Sequence, residues 1–165
     1  MASAPTIKNL DTVDLVLSVV QYEKPAGTLR KGLCSNYLKE AKVGSTVACM
    51  HRPIHTLMKP LTEGKPIVMI AAGSGIAPFR AVWQQLKAKG ADREKNILFF
   101  GCRNKSENLF ESESESAVKR IPAFSREDGQ RKKYVQDVVE ENGDLVNDLI
   151  WEQGGAILVC GSVSS

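Results

Sequence analysis

The stretch Lys65-Pro-Ile-Val-Met-Ile-Ala-Ala-Gly-Ser-Gly-Ile-Ala-Pro-Phe-Arg80 decides the fold. Ile67 to Ala72 is a short, nearly continuous apolar run, the pattern of a strand buried on both faces of a parallel sheet. Gly73-Ser74-Gly75 breaks that run. Ile76, Phe79, Val82, Trp83 and Leu86 then recur at three- and four-residue steps, which predicts a helix over Ala77–Lys89. Strand, glycine turn and helix in succession present backbone N–H groups and the positive end of a helix dipole to an anion. Gly73 and Gly75 allow a tight turn and close approach to a ligand. Pro78 is tolerated in the first turn, where its missing N–H would have no partner anyway. A purely structural turn reads the same way, because a lone G-x-G is a weak signal.

Working outward, the pattern alternates strand and helix. Asn96–Gly101 and Ile121–Phe124 read as strands, and Ala156–Val159 as a final buried strand. Lys133–Trp151 is helical by pattern through Tyr134, Val138, Val139, Leu145, Leu149 and Ile150, with a break at Gly143. Such alternation predicts a parallel sheet flanked by helices. Upstream, Val13–Tyr22 and Val47–Met50 read as strands on either side of a short helix. Ser35 is its expected N-cap, and Leu38 and Ala41 form its inward face. Residues 1–12 form a polar, poorly ordered lead-in. Pro53–Lys65, with Pro60 and Gly64, reads as a linker. A boundary near Glu63 therefore divides 1–62 from 63–165. Within Asn104–Lys119 the acidic, low-complexity Glu111-Ser-Glu-Ser-Glu-Ser116 is expected to be exposed.

The 165 residues suffice for one domain with a real core, or one domain and part of another. With 42% hydrophobic and 25% charged residues the chain is globular rather than disordered. A net charge of +3 is too mild to imply nucleic-acid binding. No apolar run reaches the length of a membrane helix, and the start lacks the pattern of a secretory signal. Cys34, Cys49, Cys102 and Cys160 are widely spaced, so reduced thiols in a cytoplasmic setting are expected. His51 and His55 sit four apart with Pro53 between them, which suits a surface loop better than a metal site.

Five short motifs stand in one order. They are Gly73-Ser-Gly-Ile-Ala-Pro-Phe-Arg80, Phe99-Phe-Gly-Cys-Arg103, Ala123-Phe-Ser-Arg-Glu127, Lys133-Tyr-Val-Gln136 and Val159-Cys-Gly161. From about Val13 to Gly161 this wording resembles the NADPH-binding end of the diflavin reductases, the NADPH–cytochrome P-450 oxidoreductase type. Five motifs in register are far more specific than any one. The resemblance implies an α/β fold with a Rossmann-like parallel sheet, the ferredoxin-NADP reductase-type nucleotide domain, preceded by a β-rich strip of the FAD-binding barrel.

Its chemistry follows from what NADPH needs. Gly73, Ser74, Gly75 and Ile76, continuing through Ala77 and Pro78, supply N–H groups and a helix start for the pyrophosphate. The 2′-phosphate needs fixed cations and hydroxyls. Between Lys119 and Lys133 there are six basic residues against two acidic ones. By resemblance Ser125, Arg126, Lys132, Tyr134 and Gln136 grip the 2′-phosphate and adenosine, and Arg103 contacts phosphate or adenosine. A solvated basic loop is the bland alternative. Gly32, Leu33, Cys34 and Ser35 resemble the segment that lies against the FAD pyrophosphate; a plain helix cap is their bland reading. Cys160 resembles the cysteine beside the nicotinamide, or is only a buried strand-end thiol. The family's following acid is Ser162 here, which weakens any proton relay.

The family's Arg-x-Tyr-Ser motif, its flavin-shielding aromatic and an FMN-binding segment are not found. The chain is therefore expected to be part of a larger enzyme, truncated at its C-terminus. That enzyme would pass hydride from NADPH to FAD and electrons onward, through the FMN domain of the same parent chain, to a haem or metal acceptor protein. The parent is placed in the cytoplasm or on the cytosolic face of the endoplasmic reticulum. A single-flavin ferredoxin–NADP⁺ reductase-like enzyme and a non-catalytic interaction domain are the alternatives.

Overall fold

The computed structural model describes residues 1–4, 11–25, 27–50 and 55–161. His51, Pro53 and Ser162 lie outside the described residues, as does half of the expected lead-in, residues 5–10. The chain divides into two units, Val16–Pro53 and the remainder.

The smaller unit holds two short antiparallel strands, β1 (Gln21–Glu23) and β2 (Leu29–Lys31), and helix α1 (Leu33–Glu40). The strand expected over Val13–Tyr22 is thus confined to its last residues, and Val47–Met50 forms no strand. Both segments are largely exposed, so their apolar residues lack the packing that would hold them in a sheet. Gly32, not Ser35, is the N-cap of α1. Ser35 lies one turn inside, where its Oγ accepts from the Val20 N–H at 3.0 Å. Asn36, rather than Leu38 or Ala41, is the buried residue of the helix. Its Nδ2 donates to Gly32 O and Val20 O at 2.7 and 3.0 Å.

The larger unit is a four-stranded, all-parallel sheet of β3 (Ile67–Ala72), β4 (Asn96–Cys102), β5 (Lys119–Phe124) and β6 (Ala156–Cys160), in the order β5-β4-β3-β6. The central strands are nearly fully buried, as their apolar runs require. Helix α3 (Ile76–Ala88) covers one face, placing Ile76, Phe79, Val82, Trp83 and Leu86 on Met69, Ala71, Leu98 and Phe100. Helix α5 (Val135–Glu141), α6 (Gly143–Asn147) and a π turn (Asp148–Glu152) cover the other, with Val138 and Leu149 over Val68, Ile97 and Phe99. Pro122 sits in β5, an edge strand in this sheet, where the missing N–H costs least.

Three expectations change. Pro53–Lys65 contains helix α2 (His55–Glu63), whose Leu61 is buried in the α3 core. Strand β6 is half-exposed rather than buried. It is an edge, and Ile157 and Val159 are 47% and 73% exposed. The acidic stretch forms a turn of helix, α4 (Glu111–Glu115), in which Ser114 is fully buried. Glu113 accepts hydrogen bonds from Arg80 Nε, Trp83 Nε1 and Gln84 Nε2 at 3.0–3.1 Å. Arg80 also holds Asp14 at 2.6 Å and the Ala2 carbonyl at 3.1 Å, while Gln84 accepts from the Ala4 N–H. Ala2 and Ala4 are consequently buried, so the start of the lead-in is docked. No helix among the described residues is long and apolar enough to cross a membrane.

Candidate functional site

The chain passes from β3 outward through β4 and β5, then returns to place β6 on the other side of β3. The β3–β4 and β5–β6 connections therefore run across the sheet in opposite directions, with β3 and β6 at the reversal. In open α/β sheets the carboxyl ends of strands at such a switch form the ligand crevice. Here those ends are Ala72 of β3 and Cys160 of β6, one register step apart.

Gly73-Ser74-Gly75 forms a single 3-10 turn leading from β3 into α3. Gly73 takes φ +54°, a conformation that disfavours other residues, and nothing lies within 4 Å of where its Cβ would be. Gly75 has an ordinary φ of −62°. Its requirement is spatial: a Cβ would lie 2.2 Å from the Cys160 carbonyl oxygen and 2.8 Å from Gly161 Cα. The turn is thus wedged against the end of β6. The Ile76 N–H closes the turn onto Gly73 O, so it is not among the donors left for an anion. No side chain caps α3, and Gly73 and Ser74 are exposed. Ala77 is buried and Pro78 partly so, which makes them scaffold.

The ends of β4 and β5 meet in register, Cys102 beside Phe124. Beyond them the Ser125 and Arg126 N–H groups donate to Cys102 O and Arg103 O at 3.0 and 2.7 Å. These bonds extend the ladder by two residues and bring Arg103 and Arg126 alongside each other. The Lys133 N–H returns to Phe124 O at 3.0 Å, which sets Lys132, Tyr134 and Gln136 at the same sheet edge, all exposed. Tyr134 is held by its N–H to Asp137 Oδ2 at 2.8 Å. Lys133 pairs with Glu141 at 2.5 Å.

One acid at this edge, Glu107, escaped the sequence reading, and another, Glu127, entered it only as the last residue of a motif. Glu107 pairs with Arg103 through two of its three guanidinium nitrogens, Nε at 2.9 Å and Nη2. That hydrogen-bonded pair holds the Glu107 carboxyl below its ordinary range, against the opposing effect of burial, and the charge of Arg126 adds least to the lowering. The same pair raises Arg103 above its usual value. Glu127 Oε2 accepts from the Lys105 N–H at 2.8 Å and so anchors the 3-10 turn Lys105–Glu107 to the β5 loop. The four-residue spacing of Arg103 and Glu107 was the available signal.

Cys160 is partly buried and packs, with Leu158, against the α3 core. Cys102 is buried, and that burial pushes its thiol up to about 11, which removes it as a nucleophile at neutral pH. In the smaller unit the first intrahelical bond of α1 runs from Asn36 N to Gly32 O at 3.2 Å. The N–H groups of Leu33, Cys34 and Ser35 precede it and lie outside the helix's own ladder.

A family model described as the oxidoreductase NAD-binding domain matches residues 69–164. Similar proteins include a nitric oxide synthase of Drosophila melanogaster, 35% identical over 93% of this chain and 12% of its own length. The NADPH-dependent diflavin oxidoreductase 1 of Schizosaccharomyces pombe is 36% identical over 91% of the chain and 26% of its length. An NADPH–cytochrome P450 reductase of Drosophila melanogaster is 35% identical over 93% and 24%. The chain thus spans about a quarter or less of the curated relatives it matches.

Proposed function

The chain belongs to the oxidoreductase NAD-binding domain family, and from that premise we propose that it is the NADP(H)-binding part of a flavin-dependent reductase. The observation that carries this reading is the convergence, along one carboxyl sheet edge, of the Gly73–Gly75 turn, Arg103, Ser125–Arg126 and Cys160.

In this reading the exposed N–H groups of the glycine turn, and the uncapped start of α3, bind the nucleotide pyrophosphate. Arg126, Lys132 and the Ser125 hydroxyl hold the 2′-phosphate, with Tyr134 and Gln136 against the adenosine. Arg103 holds a phosphate at the same edge. Cys160, on the strand that abuts Gly75, orients the nicotinamide, and orientation of this kind can supply several kcal/mol of the barrier (about 7–11 in the best cases). Gly32 to Ser35 hold the FAD pyrophosphate at the start of α1. When bound, the two cofactors supply the hydride donor and acceptor; the chain's own residues bind and orient.

In the parent protein, electrons pass onward through an FMN domain to a haem or metal protein. Relatives named as diflavin oxidoreductases support a two-flavin parent over a single-flavin one. Calorimetric titration of the purified chain with NADP⁺ and with NAD⁺ is the test. Preferential NADP⁺ binding is expected. Equal affinity for both, or binding of neither, overturns the reading.

A further inference from the structure

The Arg103 guanidinium at the end of β4 already carries an anion, and Arg126 beyond the end of β5 stands beside it in the ladder. The Arg103 backbone accepts the Arg126 N–H at 2.7 Å, which fixes the two residues side by side. Glu107 stands four residues after Arg103 in a tight 3-10 turn, and that turn is tied to the β5 loop by Glu127 on the Lys105 N–H. The result is a bidentate Arg103–Glu107 pair. The Arg103 side chain is 62% exposed, so this pair faces solvent at the sheet edge rather than filling a core.

Resting on the NADP(H) reading above, we propose that Arg103, fixed beside Arg126, joins it on the 2′-phosphate, and that Glu107 is the internal anion this phosphate must displace from Arg103, so that Glu107 tempers affinity for the phosphorylated nucleotide. A cation engaged by an internal carboxylate is available to a ligand only for the fraction of time the pair is open. Apparent affinity falls by that fraction. Solvent-exposed ion pairs are worth little, so the reduction is modest and the pair opens readily. A nucleotide without the 2′-phosphate has no group to exchange with Glu107 and is unaffected. The consequence for turnover is faster departure of the oxidised nucleotide, a step that often limits such enzymes.

The test compares the full chain with Glu107→Gln in calorimetric titrations of 2′,5′-ADP and 5′-AMP. The variant is expected to bind 2′,5′-ADP roughly threefold to fivefold more tightly, the scale of one exposed ion pair. Its 5′-AMP affinity should be unchanged, and the gain should shrink as salt is raised. Glu140→Gln, the same charge change at an exposed position of α5, should give no gain. If the wild type prefers 2′,5′-ADP but Glu107→Gln binds it no better, or if Glu140→Gln gains equally, the displacement is wrong while the NADP(H) reading stands. A wild type that binds both probes equally, or neither, removes the reading and this inference with it.

Discussion

The carbonyl of Cys160 lies so close to Gly75 that a Cβ at residue 75 would stand 2.2 Å from its oxygen. The glycine turn and the last strand are therefore one packed unit. Gly75→Ala must push the end of β6 away and is expected to cost about 1–3 kcal/mol, the usual range for overpacking. Nucleotide affinity should fall with it. Gly73→Ala has open space around its Cβ and carries only the penalty of a positive φ. Thermal melts with NADP⁺ titrations check the pair; a Gly75→Ala protein of wild-type stability contradicts the geometry.

Arg126→Ala should weaken NADP⁺ by roughly 1.5–3 kcal/mol, the scale of a charged hydrogen bond, and should barely change NAD⁺. The measurement is a paired titration of both nucleotides. Equal losses would remove Arg126 from the 2′-phosphate.

Cys160→Ser, introduced into the complete parent enzyme, should slow hydride transfer by about tenfold to a hundredfold, the effect of a slightly misplaced reactant. NADP⁺ affinity should change little. Stopped-flow reduction of the flavin reads the rate directly, and an unchanged rate would leave Cys160 as a packing thiol.

Glu113 supplies a pH test. Burial works to raise its pKa, but hydrogen bonds from Gln84, Trp83 and Arg80 outweigh this and hold it below the ordinary 4.5. A carboxyl depressed on folding contributes stability in full above its unfolded value and loses it as pH falls through the folded one. Wild type should therefore lose stability below about pH 4.5 more steeply than Glu113→Gln. The gap between their melting temperatures should close on acidification. A gap independent of pH would mean that the carboxylate charge contributes nothing.

The sheet was legible because its signals are local. The Ile67–Ala72 run, the Ile76–Leu86 periodicity and the Val138–Leu149 pattern each state their own burial, and all three pack as expected. Ser125 and Arg126 follow directly on the expected Ile121–Phe124 strand, and their backbone bonds to Cys102 and Arg103 hold them at its end. What escaped depends on partners distant in sequence. Pro60 reads as a breaker, yet Leu61 is held in a helix by the α3 core. Val13–Tyr22 has strand composition but finds little to pair with. Gly75 looked like a turn residue, and only the return of β6 shows that its missing side chain makes room for another strand.

Alternating glutamates and serines usually mark a place where foreign sequence can be spliced in. Here Glu113 joins three side chains of α3, and Ser114 is sealed beneath Arg120, whose guanidinium donates to it at 2.7 Å. An epitope tag or fluorophore placed between Ser112 and Ser116 would pull that rivet from the helix. The turn of Asp128, Gly129 and Gln130 is exposed and outside any regular element, but it lies between Arg126 and Lys132, so cargo hung there would spare the frame at the expense of the proposed phosphate site.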